Sequence, residues 1–299
     1  MLTLVTPIIW AGVSNDLKIV TSIKPLKLIA AEIAGSEADI TVLLKPGSSP
    51  HNYQLRPSHA RAISDADLII WIGPSLERFM KKIIRRQNED ANIITTEDLA
   101  GIQTHPYRSN ALWEESHHDH GHDHHHHSHD IDGHLWLSPN NGAAIATSIA
   151  NHLIKIAPQN KTQYEANLAS LLKKIDAVDK ENQEALMPHK KTAYLVYHDA
   201  FQYFEKHYGL NAIGTFTTEN TSSLSAKRLS VINKTINASN IKCIFADEQY
   251  NAPVVQRVAD QTGVTLVSLD PMGSSISHSE NGYTQLLKTI RENMLSCFK

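Results

Sequence analysis

Cysteine is nearly absent: the 299 residues contain two, Cys243 and Cys297, both in the last quarter. None lies near the start to carry a lipid, so a soluble form is expected over a lipid-anchored one. There is no excess of positive charge either, with 28 Lys and Arg against 31 Asp and Glu, a net charge of −3 and a pI near 6.6. That balance excludes the usual electrostatic basis for binding nucleic acid. No apolar run is long enough to span a bilayer; the longest, Met1 to Val13, falls short of the 17–25 residues a spanning helix needs. No HExxH or comparable catalytic zinc motif is present.

The apolar start does have the length of the core of a secretory signal. Residues 1–16 are therefore expected to form a partial or atypical signal peptide, since no Lys or Arg precedes Lys18. A buried first strand or helix is the alternative. Export would place the chain in the periplasm. There, two cysteines suggest one disulfide, tying the chain end to a core strand, whereas in a cytosolic protein they would be free buried thiols.

Short apolar, β-branched runs alternate with longer segments of helical period. Strands are expected at 17–23, 38–44, 67–73 and 92–96, then at 192–198, 211–216, 241–247 and 264–270. The stretches between them, such as PLKLIAAEIAG, SLERFMKKIIRR and SAKRLSVINKTINA, read as helices. The fold class is thus α/β, with two similar lobes, each a four-stranded, mainly parallel sheet flanked by helices. Between them, Tyr164, Leu168, Leu171, Leu172, Ile175 and Val178 recur at steps of about three and four residues, bounded by Pro158 and Pro188. One helix over 158–188, about 40 Å long, is expected to join the lobes stiffly. The resulting plan is an N-terminal lobe over 17–157, the connecting helix, and a C-terminal lobe over 189–299.

Histidine is the residue type in surplus. Nine of the 18 fall in thirteen positions: His117, His118, His120, His122, His124, His125, His126, His127 and His129. The segment around them, 114–132, is polar and without apolar periodicity, which predicts a mobile loop. Such a loop binds metal only weakly, because each ion must order the chain. Single histidines at the ends of strands are better placed, since ligands of parallel α/β sheets collect there. His51 follows the second strand and His198 ends the fifth. His134 precedes a helix opening near Pro139, and Asp270 ends the last strand. Three imidazoles with a carboxylate or water suit Zn²⁺, with Mn²⁺ the less favoured alternative for so few carboxylates. His59, His105, His152, His189, His207 and His278 are expected to be surface or satisfied core residues.

The stretches PHNYQLRPS, DADLIIWIGPSLERFM, DGHLWLSP, YHDAFQYFEKHYGL and IKCIFADEQYNAPVVQRVADQTGVTLVSLDPMG occur in that order. Together they resemble the cluster A-I (family 9) metal-binding receptors of ABC transporters, and among these the zinc-uptake branch of the ZnuA type. The resemblance runs from about residue 17 over nearly the whole chain. It implies His51, His134 and His198 as metal ligands, with Asp270 or water as the fourth, because Pro50 leaves no Glu beside His51. It also implies a Cys243–Cys297 pair. The partners implied are a membrane permease and its ATPase, and the receptor is expected as a monomer. A zinc hydrolase, with Asp270, Glu248 or Asp199 as base, and an adhesin or metal buffer that feeds no transporter are the competing functions.

Overall fold

The computed structural model describes residues 17–87, 91–108, 131–217, 225–247, 253–277 and 281–299. The expected signal segment 1–16 and the nine clustered histidines lie outside these residues.

The first lobe is built from β1 (Leu17–Thr21), α1 (Lys24–Ala34), β2 (Ala38–Val42), α2 (Pro57–Ser64), β3 (Leu68–Trp71), the short α3 (Lys81–Ile84) and β4 (Ile93–Thr95). All pairings are parallel, in the spatial order β2-β1-β3-β4. Every residue of β3, Leu-Ile-Ile-Trp, is buried, as a parallel strand covered on both faces requires. The chain leaves β1 toward β2 on one side and β3 on the other. The carboxyl edge between β1 and β3 is therefore a topological switch point.

Two helices follow, α4 (Pro139–Ile156) and α5 (Lys161–Leu186). Ser138 caps α4 by accepting the Asn141 N–H, and Pro139 occupies its first turn. The 26 residues of α5 bury Tyr164, Leu171, Ile175, Val178, Asn182 and Leu186 along one stripe, and turns of 3-10 helix flank it at 158–160 and 187–189.

The second lobe repeats the plan with β5 (Ala193–His198), α6 (Gln202–Tyr208), β6 (Asn211–Thr217), α7 (Ala226–Ala238), β7 (Cys243–Asp247), α8 (Pro253–Thr262) and β8 (Thr265–Leu269). Its parallel sheet has the order β6-β5-β7-β8, and the switch point falls between β5 and β7. A last helix, α9 (Gly282–Phe298), packs on β8 but also on α1 and α5. A disulfide joins its Cys297 to Cys243 of β7 and closes a 54-residue separation. A cross-link over a loop of that size typically stabilises a fold by roughly 2–4 kcal/mol.

Two features depart from the sequence reading. The segment 75–86 is helical only at 78–84, because the chain first turns back: the buried Glu77 carboxylate accepts the N–H groups of Ile72 (2.8 Å) and Gly73 (3.4 Å) at the end of β3. Ile131 and Asp132, at the edge of the expected loop, belong to the folded body; Ile131 bridges to Pro106 and Asp132 is fully buried.

One apolar cluster runs through both lobes, taking in Ile19 and Leu26 from the first, Tyr194 and Phe204 from the second, and Tyr164 and Leu287 from α5 and α9. A smaller one, around Leu195, Phe216 and Ile244, belongs to the second lobe alone. Polar bonds cross the seam as well. Trp136 donates its indole N–H to the Pro271 carbonyl at 2.7 Å, and Tyr283 donates its hydroxyl to the Trp136 carbonyl at 2.7 Å. With a shared core and these cross-bonds, wide separation of the lobes would expose apolar surface and is opposed.

Candidate metal centre

His51, His134 and His198 converge. His51 lies on the loop that leaves β2, where the Ser49 hydroxyl accepts its backbone N–H at 3.3 Å. His134 precedes a 3-10 turn at 135–137 that leads into α4, and His198 is the last residue of β5, at the switch point of its sheet. Their ring centroids form a nearly equilateral triangle, 5.3 Å from His51 to His134 and 5.2 Å on the other two sides. One nitrogen from each ring lies within 4.8 Å of the others, so this group could hold a metal ion. Tetrahedral zinc with Zn–N near 2.0–2.1 Å sets its nitrogens about 3.3 Å apart, so ring movements of about 1 Å close the triangle on an ion. His134 is 2% exposed and His198 6%, whereas His51 is half-buried and marks the solvent side.

The inner two imidazoles are backed by carboxylates. Asp132, 0% exposed, takes both the backbone N–H of His134 at 3.0 Å and its ring Nδ1 at 2.6 Å on one oxygen. An ionised carboxylate only accepts, so Nδ1 carries the ring proton and Nε2 is left as the metal-binding nitrogen. Asp132 is held in turn by Gln202, whose Nε2 donates to its other oxygen at 3.1 Å, and by Tyr203, whose hydroxyl donates to its carbonyl at 2.6 Å. The Gly133 between them is forced by space: a Cβ there would stand 2.6 Å from Cβ of Leu76. Behind His198, an oxygen of Asp247 lies 3.7 Å from Nδ1, an electrostatic contact across the β5–β7 switch point.

Asp270 is not part of the group of three whose donor atoms lie within 4.8 Å of one another. Its carboxylate folds its own turn, accepting the Met272 N–H at 3.0 Å and the Ser274 N–H. Burial pushes its carboxyl up from the usual range, and those two N–H bonds pull it back. Asp199, next to His198, is also engaged. Arg108 binds it through Nε at 2.9 Å and through a second nitrogen, and reaches Glu205 at 2.8 Å. Burial raises both carboxyls and the guanidinium opposes that rise.

Five of the remaining histidines have local roles. His59 stacks on Tyr53, His105 packs at a tilt against Tyr203, His152 lies 2.8 Å from the Ser148 carbonyl, His189 stacks on Phe298, and His207 contacts Asp179 at 2.7 Å. His278, Glu248 and the run at 117–129 lie outside the described residues. Asp132, Gln202, Tyr203 and Arg108 went unnoticed in the sequence. Asp132 had one local signal, the tight Asp-Gly-His spacing before a helix start.

Two parallel-sheet lobes fused along a long helix, with three imidazoles gathered from both at the carboxyl ends of the sheets, define a two-lobed metal-binding receptor. The chain belongs to the family described as zinc-uptake complex component A, periplasmic, which it matches over residues 19–297. It is 35% identical to the high-affinity zinc uptake system protein ZnuA of Yersinia pestis, covering 94% of this chain and 91% of that protein. It is 32% identical to the ZnuA of Brucella abortus, over 93% of this chain and 91% of that protein. Among solved structures, a ZnuA crystal structure superposes with a TM-score of 0.79 at 24% identity, covering 95% of this chain and 100% of that one. The periplasmic zinc-binding protein TroA of Treponema pallidum gives 0.77 at 18% identity, covering 94% of this chain and 98% of that one. At those identities the two structures establish likeness of fold. The family is one of transport receptors, not of enzymes.

Proposed function

We propose that this chain captures Zn²⁺ between its lobes on His51, His134 and His198 and hands it to an ABC permease for high-affinity uptake. The observation that carries the reading is the near-equilateral triangle of imidazoles, two of them buried, at the carboxyl ends of both sheets. The names of relatives at 30–35% identity point the same way. A set of three neutral nitrogens favours zinc over manganese, which prefers more oxygen. Water completes the shell in this reading, with the Asp270 carboxylate serving its own turn through Met272 and Ser274.

The receptor works in the periplasm after export through residues 1–16, and none of its described helices is long and apolar enough to cross a membrane. It performs no bond-breaking step. Among the described residues, the acids nominated as a general base are committed, Asp199 to Arg108 and Asp270 to its turn. The nine-histidine run binds further ions more weakly than the tight site.

Titration calorimetry tests the reading. One tight zinc per chain is expected, lost when His134 or His198 is replaced by Ala. Tight binding that survives both replacements would refute it.

A further inference from the structure

The fold assembles a basic face that no single stretch of sequence displays. From Ile40 to Ser64 the charged residues are Lys45, Arg56 and Arg61, and from Arg78 to Arg86 they are Arg78, Lys81, Lys82, Arg85 and Arg86, with no Asp or Glu in either segment. All eight side chains are exposed, and none forms an ion pair with a described residue.

An aromatic contact brings the two segments together. Phe79 lies 5.4 Å from Tyr53, which stacks on His59 at 5.7 Å. His59 feels the charges of both Arg56 and Lys45. The patch therefore begins at the β2–α2 loop and the turn after β3, two connections on the carboxyl edge of the first sheet, and continues down the flank of the lobe along α2 and α3 to Gln87, which lines a cavity with Ser64 and Asp67 at the amino edge. His51, the outermost imidazole, lies in the first of these connections, two residues from Tyr53.

Lys45 and Arg56, on the connection that carries His51, work against the cargo. Like charges repel an approaching divalent ion and slow its capture at low ionic strength. They also repel one another, and isolated exposed charges contribute little to folding. Neither zinc capture nor stability accounts for eight exposed cations without an ion-pair partner among the described residues, in a chain whose net charge is −3. A mainly basic flank, with Glu97 and Asp98 the acids beside it after β4, does suit an encounter with a surface of the opposite sign, raising the on-rate and fixing the orientation of docking.

We infer that the face formed by the 45–61 and 78–86 segments docks on an acidic extracytoplasmic surface of the permease, presenting the His51 side of the metal centre to it. This rests on the receptor function proposed above. The repulsion then has a use: docking on an acidic partner cancels the unfavourable field around His51 only where delivery takes place.

The test is the triple reversal K81E/K82E/R85E, with the neutral K81Q/K82Q/R85Q as a milder second variant, each replacing the native copy in cells. Zinc calorimetry on the purified proteins should give the wild-type stoichiometry and affinity. Uptake of radioactive zinc at limiting supply should fall about tenfold or more for the reversal and less for the neutral variant, as loss of steering charges predicts. Unchanged uptake for both, with the proteins present at normal levels, would overturn the inference. If the reversal variant does not fold, the neutral one decides on the same criterion. Wild-type protein is also spun down with phosphatidylglycerol vesicles and with phosphatidylcholine vesicles. Retention on the anionic vesicles alone, abolished by the reversal, would assign the face to lipid and overturn docking on protein. Failure of the wild type to bind zinc at all would instead strike the proposed function, and calorimetry reads that separately.

Discussion

Asp132 and His134 share a bond of 2.6 Å between carboxylate oxygen and ring Nδ1, and the same oxygen accepts the His134 backbone N–H at 3.0 Å. One carboxylate thus sets the tautomer, the ring orientation and the backbone position of a buried imidazole. Accepting the hydrogen bond from Nδ1–H also raises the basicity of the neutral ring, making Nε2 a stronger donor to a metal. Replacing Asp132 with Asn keeps the volume but removes the negative charge and sets an NH2 group against one of two donors, the His134 ring Nδ1–H or Gln202 Nε2. Zinc affinity is expected to fall about 10- to 100-fold, as outer-shell substitutions commonly cause. Competition against a fluorescent chelator measures it, and an affinity within twofold of wild type would show that Asp132 is merely packed there.

Asp270 gives the contrasting case. Because its two oxygens accept N–H groups of Met272 and Ser274, Asp270→Asn is expected to lower the melting temperature while shifting zinc affinity by no more than a few fold. Loss of one such charge-assisted bond costs about 1.5–3 kcal/mol. A collapse of affinity comparable to that of His134→Ala would make Asp270 a ligand.

The strands were legible in the sequence because parallel strands covered on both faces need unbroken β-branched and aliphatic runs. Each of the eight expected runs overlaps an observed strand. His51, His134 and His198 were legible because each follows a strand or precedes a helix, and because the surrounding stretches resemble known receptors. Other parts were hidden for physical reasons. Asp132 read as the tail of a polar, histidine-rich run, since burial of a carboxylate depends on Gln202 and Tyr203, some seventy residues away. Helix α9 was overlooked: its N-cap is Asn281 in a left-handed conformation with no side-chain cap, so no start signal marks it. Its packing on α1 and α5 makes the two lobes share one core, which a reading by halves could not anticipate.

The histidine run can be separated from the tight centre. Deleting 117–129 should leave the high-affinity zinc event in calorimetry unchanged and remove the weaker ones. Disappearance of the tight event would place the primary site on the run.

Glu77 supplies a test by pH. Burial raises its carboxyl from 4.5 to about 8, against the hydrogen bonds from Ser22, Ile72 and Gly73. Between those values the folded protein keeps a proton that the unfolded chain gives up. The stability that Glu77 contributes is therefore fully present below the unfolded pKa, falls as pH rises toward about 8, and is gone beyond it. Thermal unfolding of the metal-free protein should show that decline, and Glu77→Gln should flatten it while leaving the shared histidine titrations in place. Parallel curves for the two proteins would mean that Glu77 is ionised in the fold.

The most direct measurement is a crystal structure of the zinc-loaded protein with anomalous data collected at the zinc edge. The expected result is one strong peak inside the triangle of His51, His134 and His198, with three nitrogens at about 2.0–2.1 Å and no bond to Asp270. A strong peak elsewhere, with the triangle left empty, would contradict the account.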